Sequence, residues 1–171
     1  MNEEYAALNE STESAQESAA AFGPALPPGG LYVGTALRQR VDLIEHLLEF
    51  GHQMILLCGA PTSGKSTLLG SLAADAGARW QCVAVRGGAA LSGRALLETV
   101  ADAAGLGSDA TEDDAALLER LRQRAAQTER AGKLLVVLLD DADQLSPEAV
   151  GTLLALARHD DAGAEPRVLM T

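Results

Sequence analysis

Aromatic side chains are nearly absent, at 3% of 171 residues, so any core this chain builds must come mainly from Leu, Val and Ala. Cysteine is scarce too. The two present, Cys58 and Cys82, offer no metal-ligand spacing and fit a reducing compartment. No apolar run reaches the ~18–20 residues that span a bilayer, and the longest strongly apolar stretch, Leu134–Leu139, has the length of a buried strand. The N-terminus has neither basic residues nor an apolar h-region, which excludes a secretory signal. Positive charge is also short. The formal net charge is −11, of which −5 falls in residues 1–30, where Glu3, Glu4, Glu10, Glu13 and Glu17 meet no Lys or Arg. The remaining 141 residues carry −6, so a basic face for gripping a nucleic-acid backbone is missing and no nucleic-acid partner is expected. Arg120, Arg122, Arg124, Arg130 and Lys133 form the only basic cluster. They are interleaved with acids on a helical pattern and read as a solvated helix face.

What is present has the composition of a globular domain, with 47% hydrophobic and 22% charged residues. Residues 1–28 are rich in Ala, Glu and Ser without apolar periodicity, and Gly23–Gly30 is dense in Pro and Gly. Residues 1–30 therefore read as a disordered acidic tail and a stiff linker, and residues 31–171 as one domain. Leu37, Val41, Ile44, Leu47 and Leu48 make one stripe of a helix over residues 35–50, closed by Gly51. Met54–Cys58 and Trp80–Val85 read as strands, with a helix over Thr67–Ala76 between them. Helices are expected over Leu91–Ala104, stopped by Gly105 and Gly107, and from a Thr111 cap to Gly132. In the latter, Glu112, Asp113 and Asp114 face the positive helix end. Leu134–Leu139 is apolar on both faces, as buried parallel strands are. Ser146-Pro147-Glu148 opens a last helix, and a fourth strand begins at Arg167. Strands alternating with helices predict an α/β fold around a parallel sheet.

Gly59-Ala60-Pro61-Thr62-Ser63-Gly64-Lys65-Ser66 matches G-x-x-x-x-G-K-[ST] at every fixed position, between a predicted strand and a predicted helix. A triphosphate carries three to four negative charges that must be held without burying an unpaired anion. A loop whose backbone N–H groups point inward, followed by the positive end of a helix, meets that need. Gly59 and Gly64 allow backbone angles and a close approach that a Cβ would obstruct. Lys65 would reach the β- and γ-phosphates, Ser66 would ligate Mg²⁺, and Thr67 continues the first turn. ATP with Mg²⁺ is the expected ligand.

Downstream, Leu134–Leu139 runs into Asp140 and Asp141. An apolar strand ending in acids, some 75 residues after a phosphate loop, has the Walker B pattern, in which Asp140 would hold Mg²⁺, usually through water. Asp141 takes the place that usually carries a glutamate polarising the attacking water, and it is shorter by one C–C bond of roughly 1.5 Å. General-base catalysis depends on reach before pKa. Two readings stay open: a slow or partner-dependent hydrolase with Asp141 and Lys65 in catalytic roles, or a nucleotide switch that scarcely turns over. Asp143 is a loop acid suited to solvation or capping.

These features resemble an AAA+ type ATPase module. The likeness extends to the ExeA/GspA-like ATPases of secretin assembly and the DamX-like, SPOR-containing division proteins of bacteria. It is carried by Leu31-Tyr32-Val33, the helix with His46-Leu47-Leu48, the phosphate loop and Asp140-Asp141-Ala142, and it covers residues 31–171. It implies a three-layer P-loop NTPase fold with strand order 1-4-3-2. Cys58 and Cys82 would then lie three strand spacings apart, roughly 14 Å, beyond disulfide reach. Both are expected to be thiols in the core. The resemblance further implies a sensor residue at the end of strand four, at or next to Thr171, and an arginine finger, a fifth strand and a lid that this chain does not contain. The chain is accordingly expected to be a piece of a longer protein. In DamX-like relatives a membrane span and a peptidoglycan-binding domain follow the ATPase module.

With neither an apolar span nor a secretory signal a cytoplasmic location is expected, and the resemblance adds the cytoplasmic part of an inner-membrane protein, with a homo-oligomer or a cell-envelope protein as partner. A scaffold stabilised by nucleotide is one competing reading. A P-loop kinase is another, although no Arg-rich lid is evident. Tyr32 would stack on adenine or pack the linker. His46 and His52 suit surface or capping roles, Trp80 suits core or edge packing, and Arg158 is a helix-end cation.

Overall fold

The structure is a computed structural model that describes residues 21–23, 35–51, 54–77, 79–107, 112–158 and 165–171. Helix α1 (Thr35–Phe50) precedes β1 (Ile55–Leu56) and α2 (Lys65–Asp75). Then come β2 (Trp80–Arg86), α3 (Gly93–Ala103), α4 (Asp114–Arg130), β3 (Leu134–Asp140), a 3₁₀ turn (Ala142–Gln144), α5 (Pro147–Leu156) and β4 (Arg167–Met170). The four strands form one parallel sheet in the order β1-β4-β3-β2, as the resemblance implies.

Alternation along the central strands builds two apolar layers. Leu135, Val137 and Leu139 of β3, with Val83, Val85 and Val168, pack against α3, α4 and α5. Val136 and Leu138, with Cys82 and Leu169, face Ile44 and Leu48 of α1 and Leu68, Leu69 and Leu72 of α2. The result is three layers whose buried members are mostly Leu, Val and Ala. Each fully buried Leu or Val contributes about 1.5–3 kcal/mol, so the sheet is held by number rather than by large rings.

Capping sets the helix starts. The Ser92 side chain accepts from the Ala95 N–H at 3.1 Å, so α3 begins at Gly93 and not at Leu91. Asp113 accepts from Ala116 N–H at 2.7 Å and caps α4; Thr111, the cap expected from sequence, lies outside the described residues. Ser146 caps α5 with Pro147 in its first turn, as predicted. Gly51 ends α1 by donating to the Leu47 carbonyl, without a left-handed backbone. A Cβ there would stand 2.5 Å from that oxygen.

Several expectations need correction. Strand β1 covers only Ile55–Leu56 of the predicted Met54–Cys58, with the ladder extended by one bond from Leu57 N–H to the Met170 carbonyl. Among the described residues its sole neighbour is the four-residue β4, and pairing runs out where the chain turns into the phosphate loop. Cys58 consequently sits exposed at the loop rather than in the core, whereas Cys82 is buried. The helix predicted over Thr67–Ala76 begins two residues earlier, at Lys65. On α1, Ile44 and Leu48 are buried but Leu47 is 41% exposed and shares an outer face with Leu43 and Phe50. The side chain of Leu37, like Tyr32 and His52, lies outside the described residues. Phe22, within the segment read as a tail, is buried against the α1/α2 layer.

The basic cluster of α4 is not a solvated face. Arg124 Nε donates to the Ala104 carbonyl at 3.0 Å and Arg120 Nη2 to that of Leu106 at 2.8 Å, while Arg120 Nη1 pairs with Glu112 at 2.6 Å. Arg122 Nη2 reaches the Ala155 carbonyl at 3.1 Å. The carbonyls at a helix end lack partners within the helix and attract cations, so these arginines tie α4 to the ends of α3 and α5. Arg130 is exposed, as expected. Trp80 is buried, with the Arg79 guanidinium 5.0 Å from the ring centroid. His46 is exposed beside Phe50. No helix among the described residues is long and apolar enough to cross a membrane.

Two outcomes follow from this packing. Leu48→Ala should lose about 2–5 kcal/mol in urea unfolding, while Leu47→Ala stays within about 0.5 kcal/mol of wild type; equal losses would contradict the orientation of α1. A maleimide reagent at neutral pH should label Cys58 in the native protein and Cys82 only after denaturation, because burial pushes the Cys82 thiol up to about 12.

Candidate functional site

The site forms where the carboxyl ends of β1, β4, β3 and β2 lie side by side. At the first of these, residues 59–64 make the loop between β1 and α2 and are exposed. Ser63 N–H donates to the Ala60 carbonyl at 3.2 Å, closing a turn over Pro61 and Thr62. Two residues carry left-handed backbone: Gly64 at φ 87°, the N-cap of α2, and Thr62 at φ 65°. Glycine reaches this region freely, while threonine there stores strain, a condition concentrated at ligand-binding loops. At Gly59 the constraint is space, since a Cβ would lie 2.8 Å from Ser63 Oγ.

Lys65, Ser66 and Thr67 form the first turn of α2, whose N–H groups have no acceptor within their own helix. Lys65 Nζ folds back to donate to the carbonyls of Gly59 at 3.0 Å and Ala60 at 3.2 Å. One ammonium thus spans the mouth of the loop. All nine residues expected to bind phosphate, Gly59 through Thr67, stand together at this junction.

Asp140 ends β3 and is 1% exposed. Oδ1 accepts from the Thr171 hydroxyl at 2.5 Å and from Asp141 N–H at 3.1 Å. Oδ2 is buried with no hydrogen bond of normal geometry. Burial pushes this carboxyl up, but the hydroxyls of Ser66 and Thr171, the Asp141 N–H and the Arg86 charge outweigh it. They hold Asp140 below the usual carboxylate range, charged at neutral pH. Ser66 and Asp140, separated by 74 positions in sequence, are brought together.

Asp141 follows in the left-handed conformation (φ 56°, ψ 42°) at the N-cap position of the 3₁₀ turn, without a side-chain capping bond and with its side chain half-exposed. Hydrogen bonds on both sides fix this strained residue. Gly87 N–H donates to the Asp140 carbonyl at 2.7 Å from the β2 side, and Ala142 N–H to the Thr171 carbonyl at 2.8 Å from the β4 side. The approach of β2 is so close that a Cβ on Gly87 would stand 2.2 Å from the Asp141 carbonyl oxygen. Asp143 is exposed in the 3₁₀ turn, as a solvated loop acid would be.

Arg86 was not singled out from sequence. It ends β2 in register with Asp140, and its guanidinium lies 3.8 Å from Asp140 Oδ2 and 3.8 Å from Asp141 Oδ2. The available signal is its place one residue after the strand predicted over Trp80–Val85, which does not reveal the strand beside it. Thr171, expected near a sensor position, contacts the Asp140 carboxylate directly.

The donors suit a magnesium ion. Mg²⁺ keeps several waters and takes one or two protein oxygens plus phosphate, and here a hydroxyl and a buried carboxylate with an unpartnered oxygen share one place. Among the described residues no group of three or more His, Cys, Asp or Glu could hold a metal, so a caged site such as zinc prefers is not formed there.

The comparisons with known proteins bear on the same region. No curated protein matches the chain. The family model of an AAA domain matches residues 47–170, which include the phosphate loop, both acids and all four strands. Strand order, loop geometry and that match agree that the chain belongs to the AAA domain family, a P-loop nucleotide-binding fold.

Proposed function

We propose that this domain binds ATP with Mg²⁺ between the Gly59–Ser66 loop and Asp140, and hydrolyses it slowly or under the control of a partner. The observation that carries the reading is the Asp140 carboxylate, buried and charged, with one oxygen lacking a donor beside the hydroxyl of Ser66. A buried carboxylate oxygen without a hydrogen-bond donor is costly even with a guanidinium 3.8 Å away, and a cation bridging it to a polyphosphate would offset that cost.

In this reading the loop and the first turn of α2 cradle the phosphates, and Lys65 leaves the Gly59 and Ala60 carbonyls for the β- and γ-phosphate oxygens. Ser66 and Asp140 are the residues that would hold Mg²⁺, which supplies charge neutralisation at the transferring phosphate. Thr171 orients Asp140 through its hydroxyl. Asp141, half-exposed at the edge of the site, orients the attacking water. Nucleotide state would then alter contacts with a second copy or with a partner protein. The likeness to secretin-assembly and division ATPases supports a place in the bacterial cell envelope, with this domain on the cytoplasmic side.

Thermal unfolding and phosphate release on the full chain test the proposal. ATP–Mg²⁺ at about 100 times its Kd should stabilise wild type by ~2.7 kcal/mol, roughly 5–10 °C in Tm for a domain of this size. Lys65→Ala should lose most of that shift. Asp141→Asn should keep the shift and release phosphate at least about tenfold more slowly. Hydrolysis by Asp141→Asn at the wild-type rate would remove Asp141 from the chemistry, and a full shift without any phosphate release in wild type, alone or with partner, would identify a nucleotide switch. Transfer of the γ-phosphate to a small acceptor would mark a kinase.

A further inference from the structure

Arg86 stands between two carboxylates at equal distance, 3.8 Å from an oxygen of each. The Asp140 oxygen it faces is the one without a hydrogen-bond donor. At 3.8 Å no hydrogen bond forms either, so the attraction is one of charge alone. The backbone that carries the guanidinium is nevertheless fixed. Arg86 pairs in register with Asp140 across the β2–β3 ladder, and the next residue, Gly87, donates its N–H to the Asp140 carbonyl where no side chain would fit. The Arg86 side chain is 57% exposed, which leaves it solvated and screened. It can therefore be displaced, as an arginine locked in a dry bidentate pair could not.

We propose that Arg86 is a built-in counter-ion that occupies the Asp140–Asp141 pair until Mg²⁺ takes its place, and so sets the Mg²⁺ concentration at which nucleotide is held. This inference rests on the reading of Asp140 as the magnesium position. Without nucleotide, two adjacent carboxylates face a loop built for a polyanion, and Arg86 balances them. When Mg²⁺ arrives with its phosphates, one cation replaces another at Asp140 Oδ2. Arg86 is then a positioning residue: it tunes metal uptake through the acids and takes no proton in the reaction.

The test follows binding of a fluorescent N-methylanthraniloyl ADP to the full chain while Mg²⁺ is titrated, for wild type, Arg86→Gln, Arg86→Lys and Lys65→Ala. Thermal unfolding without nucleotide serves as a check on folding. Removing the competing charge should lower the Mg²⁺ concentration for half-maximal binding roughly three- to tenfold in Arg86→Gln. Arg86→Lys keeps the charge and should stay within about twofold of wild type. The difference between wild type and Arg86→Gln should shrink in 1 M salt, where the Debye length falls to about 3 Å. An unchanged or raised midpoint in Arg86→Gln, with Lys65→Ala failing to bind, overturns the counter-ion role and leaves the nucleotide site standing. Nucleotide binding by Lys65→Ala at wild-type strength overturns the loop assignment and the inference with it.

Discussion

The site depends on one constraint, a charged carboxylate carried to the end of a fully buried strand. Leu135 to Leu139 are apolar and buried on both faces of the sheet, so Asp140 emerges from the driest part of the molecule. Desolvation alone would push its pKa up. Its neighbours decide otherwise, because β4 delivers the Thr171 hydroxyl, α2 the Ser66 hydroxyl and β2 the Arg86 charge. Every element that flanks β3 at this end thus supplies part of the environment of a single side chain.

Strand order makes this possible. With β3 between β4 and β2, residues distant in sequence reach Asp140 from both sides. A parallel sheet aligns all its carboxyl ends, and the loops beyond them form the crevice where ligands of such folds bind. The helices contribute by covering both faces so that the central strands can be apolar throughout. The three α4 arginines hold that cover together by satisfying carbonyls near the ends of α3 and α5.

Much of this was legible in the sequence. Leu134–Leu139 announced a buried strand by its unbroken apolar run, and Gly59–Ser66 announced its loop by spacing alone. Ser146-Pro147 marked the start of α5 correctly. The order of the strands came only from the family resemblance, since local periodicity carries no information on which strands are neighbours. For the same reason Arg86 escaped notice: its importance lies in a register with a residue 54 positions away. The α4 arginines lie in a pattern of alternating charges that looks solvated in sequence, whereas the structure sets them against the helix ends beneath them. Leu47 falls at the edge of the apolar stripe, and periodicity alone does not tell that it is 41% exposed while Ile44 and Leu48 are buried.

The aspartate at position 141 has a conformational explanation that its chemistry alone does not suggest. Its backbone is left-handed, a region where aspartate and asparagine are several-fold enriched over other non-glycine residues. The ladder forces that conformation, since Gly87 bonds to the preceding carbonyl, Ala142 bonds to Thr171, and the chain between them must turn within one residue. A longer side chain would reach further into the site but would tolerate this backbone less well. The sequence therefore combines a side chain that tolerates the left-handed turn with a shorter reach. In the proposed hydrolysis, reach lost at Asp141 would have to be restored by how the water is placed, which would tie that chemistry to the arrangement of Arg86, Thr171 and Asp140.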